Sequence, residues 1–228
     1  MTFGSTFGRV FSPTFQSKSQ AAEVASSWWL SGGIDAANCV AAYQPKGAAS
    51  YAASKVNLAN PGMYDATEGT APDWDSTNGW KGNGTSQYLY VGVTPLSSWT
   101  IAIRFSNRGN RNEYYYSSGN INLQHVTVPN LRNYWGNASG ISYFQGTTPN
   151  GTLITTVISA NRYARLNDNA PNIDGGTDKI GNGSGDLFIL SKNATTGFAQ
   201  IYIQAFAVYN VNFTAAQVTA LTTAMNAL

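Results

Sequence analysis

Hydrophobic and polar residues alternate along much of this chain, most sharply near its C-terminal end. Over 198–209 (FAQIYIQAFAVY) one set holds Phe198, Gln200, Tyr202, Gln204, Phe206 and Val208, and the other holds Ala199, Ile201, Ile203, Ala205, Ala207 and Tyr209. Period-two spacing, β-branched residues and the lack of internal Gly or Pro predict a central strand with one small-residue face. Just beyond it, Thr214 and Gln217 have the spacing of a capping box, and Phe213 and Val218 that of a hydrophobic staple. Val218, Leu221, Met225 and Leu228 then make one apolar stripe, so the predicted C-terminal helix lies against the body of the domain.

The same alternation recurs upstream. Trp99, Ile101, Ile103 and Phe105 mark a strand over 99–106, and shorter strands read at 39–44, 87–93, 113–117, 120–128, 131–135, 153–160, 162–166 and 187–191. Turn signals such as Asn60-Pro61-Gly62, Gly69, Pro72 and Asn78-Gly79 punctuate the region between. A helical turn is expected within 47–58, and a short helix over 19–30 is ended by Gly32 and Gly33. About ten short strands with helices only at the margins predict an all-β fold, a two-sheet antiparallel β-sandwich with a short N-terminal and a short C-terminal helix. No internal repeat is visible, which disfavours a propeller or solenoid. Residues 1–18 repeat phenylalanine every fourth position (Phe3, Phe7, Phe11 and Phe15) among Gly, Ser, Thr and Pro. They read as an extended assembly arm that needs a surface to bury its rings. The expected division is therefore 1–37, arm and short helix, and 38–228, sandwich domain.

Composition narrows the function classes. The chain has 228 residues, enough for one sizeable sandwich core, and only 11% of them are charged. A net charge of +2 is too small for a nucleic-acid footprint, and the one local basic group, Arg104, Arg108 and Arg111, reads as a solvated strand end. Cys39 is the single cysteine, so no internal disulfide forms, and its apolar neighbours predict a buried thiol. No run is long enough to insert into a membrane, and the opening MTFGSTFGRVFSPTFQ lacks the apolar core of a secretory signal.

The order of the pieces resembles the laminin-G-like branch of the concanavalin A-like lectin/glucanase superfamily. WKGNGTSQYLYV (80–91) looks like that family's glycine-bearing turn and strand, and SSWTIAIRFS (97–106) like the strand that follows. TLITTVISANRYARLNDNAP (152–171) is similar to its hairpin with an Asn/Asp-rich turn, and 179–192 together with the closing strand and helix match its end. The resemblance runs from about Val40 to Leu228 and implies a jelly-roll sandwich of the kind found in lectins, adhesion modules and phage or bacterial surface proteins.

Glycosidases of this superfamily place paired carboxylates on one strand, close enough to flank a glycosidic bond. Here Glu23, Glu68 and Glu113 are far apart, and Asp73 and Asp75 bracket Trp74 in a turn-rich stretch, where turn capping is the simpler reading. His125 is the single histidine and sits in an ordinary strand sequence. No cofactor is expected. The superfamily's calcium at the sandwich rim has loop aspartates available, but no EF-hand-like spacing supports it. The strongest positive chemistry is a carbohydrate-binding cluster, Tyr114, Tyr115, Tyr116, Tyr134, Trp135 and Tyr143, beside Asn110, Asn112, Asn133 and Asn137. Alternation sends about half of such a set inward, so core packing competes with ligand contact. The Asn-x-Ser/Thr triplets at Asn83, Asn137, Asn150, Asn182, Asn193 and Asn212 read as turn composition, not glycosylation.

The expectation is a non-enzymatic structural protein on the surface of a viral, phage-like particle. Its sandwich would face outward, and its arm would dock to further copies or other virion subunits. The alternative is an extracellular carbohydrate-binding lectin or adhesion module whose partners are surface glycans.

Overall fold

The computed structural model describes Met1 and residues 27–109, 111–127, 130–135, 141–145, 150–159, 161–174 and 181–228. The Phe3, Phe7, Phe11 and Phe15 arm and most of the expected first helix lie outside the described residues. Two antiparallel sheets face each other, as the alternation predicts. The first contains β1 (Cys39–Tyr43), β3 (Asp73–Asp75), β4 (Gly79–Lys81), β6 (Thr100–Ser106), β11 (Gly151–Ile158), β12 (Asn161–Leu166), β13 (Asn172–Asp174) and β15 (Tyr202–Tyr209). Its order is β13-β12-β11-β6-β15-β4-β3, with β1 also paired to β15. The second sheet contains β2 (Thr67–Glu68), β5 (Leu89–Val91), β7 (Glu113–Ser118), β8 (Ile121–Thr127), β9 (Asn130–Trp135), β10 (Ile141–Gln145) and β14 (Leu187–Ile189), in the order β10-β9-β8-β7-β14-β5-β2.

The core between the sheets is built from one face of each strand: Ile101, Ile103 and Phe105 from β6, Leu153 and Val157 from β11, and Leu123, Leu131 and Ile189 from the facing sheet. Buried side chains of this size contribute about 1.5–3 kcal/mol each relative to exposure. One departure from strict alternation shapes the central strand. A bulge between Ile203 and Ala205 shifts the register at Gln204. Ile203 therefore points into the inter-sheet core with Phe206 and Val208, while Ala205, Ala207 and Tyr209 face outward. A uniform two-residue period assigns Ile203 to the opposite face, because a bulge adds one residue to the count.

That outward face is covered by a third layer. The C-terminal helix, α2 (Ala215–Asn226), buries Val218, Leu221 and Met225 against Ala102, Ala205, Ala207 and Tyr209. Small residues let the helix approach the sheet closely. The expected capping box is present: the Thr214 N–H donates to the Gln217 side-chain oxygen (2.9 Å), and the Gln217 N–H donates to the Thr214 hydroxyl (3.3 Å). Trp28 and Ile34 belong to the same layer, so packing extends N-terminal to residue 38. A 3-10 turn spans Trp28–Leu30, and Gly32 (φ +81°) lies so close to the helix that a Cβ there would meet that of Ala220 at 2.8 Å. The helical turn expected within 47–58 is α1 (Tyr51–Ser54). Cys39 is buried, and burial pushes its thiol up to about 12.

Several short strands escaped the sequence reading: β2, β3, β4, β10 and β13. Most have two or three residues and border turns, too short to show a period. The asparagines of the turns act as local hydrogen-bond acceptors. Asn83 accepts from Thr85 and Ser86 N–H, and Asn193 from Thr195 and Thr196 N–H.

Candidate functional site

The tyrosines grouped by the sequence separate in the fold. β7 carries a bulge between Tyr114 and Tyr116 where it pairs with β8. Two consecutive tyrosines are thereby turned inward, and both are 0% exposed. Tyr115 packs on Phe105 with ring centroids 4.9 Å apart. Tyr116 packs on Phe206 at 5.8 Å, and its hydroxyl shares a hydrogen bond with the Thr155 hydroxyl (3.2 Å) across the sandwich. Trp135 is equally buried, its indole N–H donating to the Ser97 carbonyl (3.2 Å). These three residues are core, which corrects their assignment to a ligand surface. Tyr143 pairs with Arg132 through its backbone, and its side chain lies outside the described residues.

Tyr114 and Tyr134 remain on the outer face of the seven-stranded sheet. Alternation places further rings beside them. Leu89, Val91, Leu187 and Ile189 point inward, so Tyr90 and Phe188 point outward as register partners. Tyr88 lies 5.8 Å from Phe188 and 6.1 Å from Phe198 between ring centroids. The same row continues through Ser117, Asn122 and Tyr134, and the next carries Tyr114, Gln124 and Arg132; Ser117, Asn122 and Gln124 are buried between the rings. Cations sit over two rings: the Lys192 ammonium lies 5.7 Å from the Tyr114 centroid, and the Arg132 guanidinium 5.6 Å from that of Tyr134. Arg132 also donates to the Tyr134 hydroxyl (2.8 Å), and Gln124 to the Asn112 side-chain oxygen (2.6 Å). Burial, then the neighbouring Tyr134, raises the Tyr114 phenol above its ordinary range, so it stays a neutral hydrogen-bonding group. Half-buried rings of this kind can stack on the C–H face of a pyranose.

Tyr88, Tyr90, Phe188 and Phe198 were missed as site candidates. Alternation in 87–93 and 187–191 does put the first three on one face of their strands. That these strands are neighbours, about a hundred residues apart in sequence, is set by pairing that no local pattern records.

A buried polar group occupies the inner side of the same sheet. Glu113 and His125 are register partners on β7 and β8 and are 1% and 0% exposed. The Gln200 N–H donates to one Glu113 oxygen (2.7 Å), while the other has no hydrogen-bond partner among the described residues. Burial raises the Glu113 carboxyl above its usual range, opposed by that bond and by Arg111 and Arg108. Burial, reinforced by Arg108, lowers His125 to about 4, so its imidazole is neutral near pH 7. Asp75 is a turn cap: it accepts from Thr77 N–H (2.9 Å) and Asn78 N–H (2.7 Å), and its carboxyl is lowered chiefly by the Asn78 side chain. The basic trio also separates. Arg111 donates to Gln200 (2.6 Å), whereas Arg104 donates through one nitrogen to the backbone oxygens of Met225 and Leu228 at the end of α2. Among the described residues, no cluster of three or more His, Cys, Asp or Glu could hold a metal ion, and no helix is long and apolar enough to cross a membrane.

No protein-family model and no curated protein matches the sequence. Solved structures do. A mutant of Trypanosoma rangeli sialidase displaying trans-sialidase activity is similar at 12% identity with a TM-score of 0.64, over 85% of this chain and 34% of that one. The same sialidase in complex with sialic acid matches at 13% identity and a TM-score of 0.63, over 83% and 33%. A structure of botulinum neurotoxin type C, whose cell entry depends on interaction with two ganglioside molecules, matches at 9% identity and 0.60, over 83% and 52%. At these identities the likeness is one of fold, and it fits the concanavalin A-like sandwich. This chain spans about a third to a half of the chains it matches. The expectation of a non-enzymatic protein is corrected by these matches. The fold occurs within sialidases, so it gives no ground for excluding enzymatic activity.

Proposed function

We propose that this chain is a carbohydrate-binding domain and that the outer face of its seven-stranded sheet is the binding surface. The observation that carries the reading is the set of half-buried rings on that face, Tyr90, Phe188, Tyr114 and Tyr134, with Lys192 and Arg132 over the last two. The structural neighbours support the ligand class: one was solved with sialic acid, and another belongs to a toxin that interacts with gangliosides. On this reading residues 38–228 are the binding sandwich and residues 1–37 an N-terminal arm and short helix. The first expectation, a virion-surface subunit, has no observation in its favour among the described residues, since the arm's phenylalanines lie outside them.

Glycan-array screening followed by calorimetry checks the proposal. Saturable binding to at least one glycan class is expected. Tyr134→Ala and Tyr114→Ala are expected to weaken it by about 1–2 kcal/mol each, with thermal stability nearly unchanged because neither ring is in the inter-sheet core. Binding untouched by both substitutions would move the site elsewhere. Hydrolysis of a fluorogenic sialoside by the same preparation tests whether the activity of the matched sialidases extends to this chain.

A further inference from the structure

A second polar surface lies on the other sheet. Two depressions, of about 430 and 540 Å³, share Ser106, Asn150 and Gln204 as lining residues and therefore run into one another. Together they cross the ends of β12, β11, β6 and β15 and reach Asn78 in the turn between β3 and β4. The groove lies on a different sheet from the aromatic face, and its lining shares no residue with that face.

The orientation of two amides can be read from their partners. The Asn150 side-chain oxygen accepts from the Asn107 backbone N–H (2.9 Å), and that of Asn167 from the Thr152 backbone N–H (2.8 Å). A backbone N–H can only donate, so in both residues the oxygen is turned toward the protein and the NH2 group is the end left to donate. Arg104 adds a cation whose guanidinium is pinned by the backbone oxygens of Met225 and Leu228. Gln204 enters the groove at the β15 bulge, a backbone feature that re-aims a side chain. At the far end stands the Tyr202 ring, with the Lys81 ammonium 5.2 Å from its centroid. Asp168, the one carboxylate in the lining, is largely exposed and lies 3.6 Å from Arg165, which screens it.

We propose that this groove is a second, independent binding site for an anionic saccharide unit, in which the Asn150 and Asn167 NH2 groups and Arg104 receive the sugar's acidic group and Tyr202 backs its ring. The Asn150 and Asn167 NH2 groups and the Arg104 guanidinium can only donate, which suits a ligand group rich in acceptor oxygens. The flat ring selects a sugar over a bare inorganic anion.

The test is a side-by-side NMR titration of the full chain with glucuronate, glucose and inorganic sulfate, following the side-chain NH2 signals of Asn150 and Asn167. Glucuronate is expected to shift both signals saturably, with glucose and sulfate at least tenfold weaker. Asn150→Asp and Asn167→Asp keep the oxygen that accepts the backbone N–H, so the fold is retained. They remove the donor and add a like charge, and each is expected to weaken glucuronate binding at least tenfold. Tyr114→Ala and Tyr134→Ala should leave it unchanged, which keeps this site separable from the aromatic face. Equal responses to glucose and glucuronate, a sulfate response as strong as that of glucuronate, no response, or unweakened binding by the two aspartate variants would each overturn the proposal.

Discussion

At the scale of single residues, backbone geometry and burial make the sharpest predictions. Gly79 adopts φ +91°, and a Cβ there would stand 2.2 Å from the Ile203 carbonyl oxygen. Gly79→Ala therefore meets both left-handed strain and a backbone clash in the central strand. Chemical denaturation should show a loss of at least about 1–3 kcal/mol. His125 makes a prediction about pH. Its folded pKa of about 4 lies below the ordinary value near 6.5, so the neutral imidazole is the form that folds well. Its contribution is fully present above pH 6.5 and is lost as pH falls from there toward 4, by about 3 kcal/mol at most. Glu113, raised by burial, acts in the opposite sense: its contribution is present below the ordinary carboxylate pKa and is lost as pH rises through its folded value. Arg108 and Arg111 are the other charged groups acting on this pair. Urea midpoints at pH 7 and pH 4 should fall less steeply for His125→Gln than for the parent chain. An unchanged slope would mean that the imidazole is not held neutral.

Elements add what residues alone cannot. The helix α2 is legible because capping and staple residues are close neighbours in the chain, so Thr214, Gln217, Phe213 and Val218 announce it without tertiary help. Thr214→Ala should cost about 1 kcal/mol through the lost cap. Met225→Ala, which opens a cavity against the small-residue face of β15, should cost about 2–5 kcal/mol. Thermal denaturation of the two variants would rank them, and a smaller effect for Met225 would show that the helix packs loosely. Strands of six or more residues were likewise read close to their true extent. The bulges were not. At Gln204 and Tyr115 an extra residue alters which side chains face the core, and each bulge depends on the partner strand.

For the whole molecule, the position of β15 decides how the layers depend on one another. One face of this strand packs into the inter-sheet core through Ile203, Phe206 and Val208, and the other supports α2 through Ala205 and Ala207. Tyr116 and Thr155 add a hydrogen bond from sheet to sheet. The layers should therefore unfold together. Far-ultraviolet and near-ultraviolet circular dichroism are expected to give coincident denaturation curves, and separated curves would show that the layers melt independently. Tyr116→Phe should cost about 1 kcal/mol or less, because Thr155 keeps its bond to the Ile101 carbonyl (3.3 Å).

The amino-acid order determined the all-β class, the C-terminal strand and capped helix, the turn-forming asparagines and the burial of Cys39, because each depends on residues near one another in the chain. Tertiary structure alone decided which aromatics are available to a ligand. Tyr114 and Tyr134 share a face with Phe188 and Tyr90 because strands distant in sequence pair side by side. Tyr115, Tyr116 and Trp135 left that surface because a bulge and the strand register turned them into the core. The groove of Asn150, Asn167 and Arg104 was equally invisible in the sequence. Its residues come from separate strand ends, and their donors are aligned by backbone groups that meet only in the folded sheet.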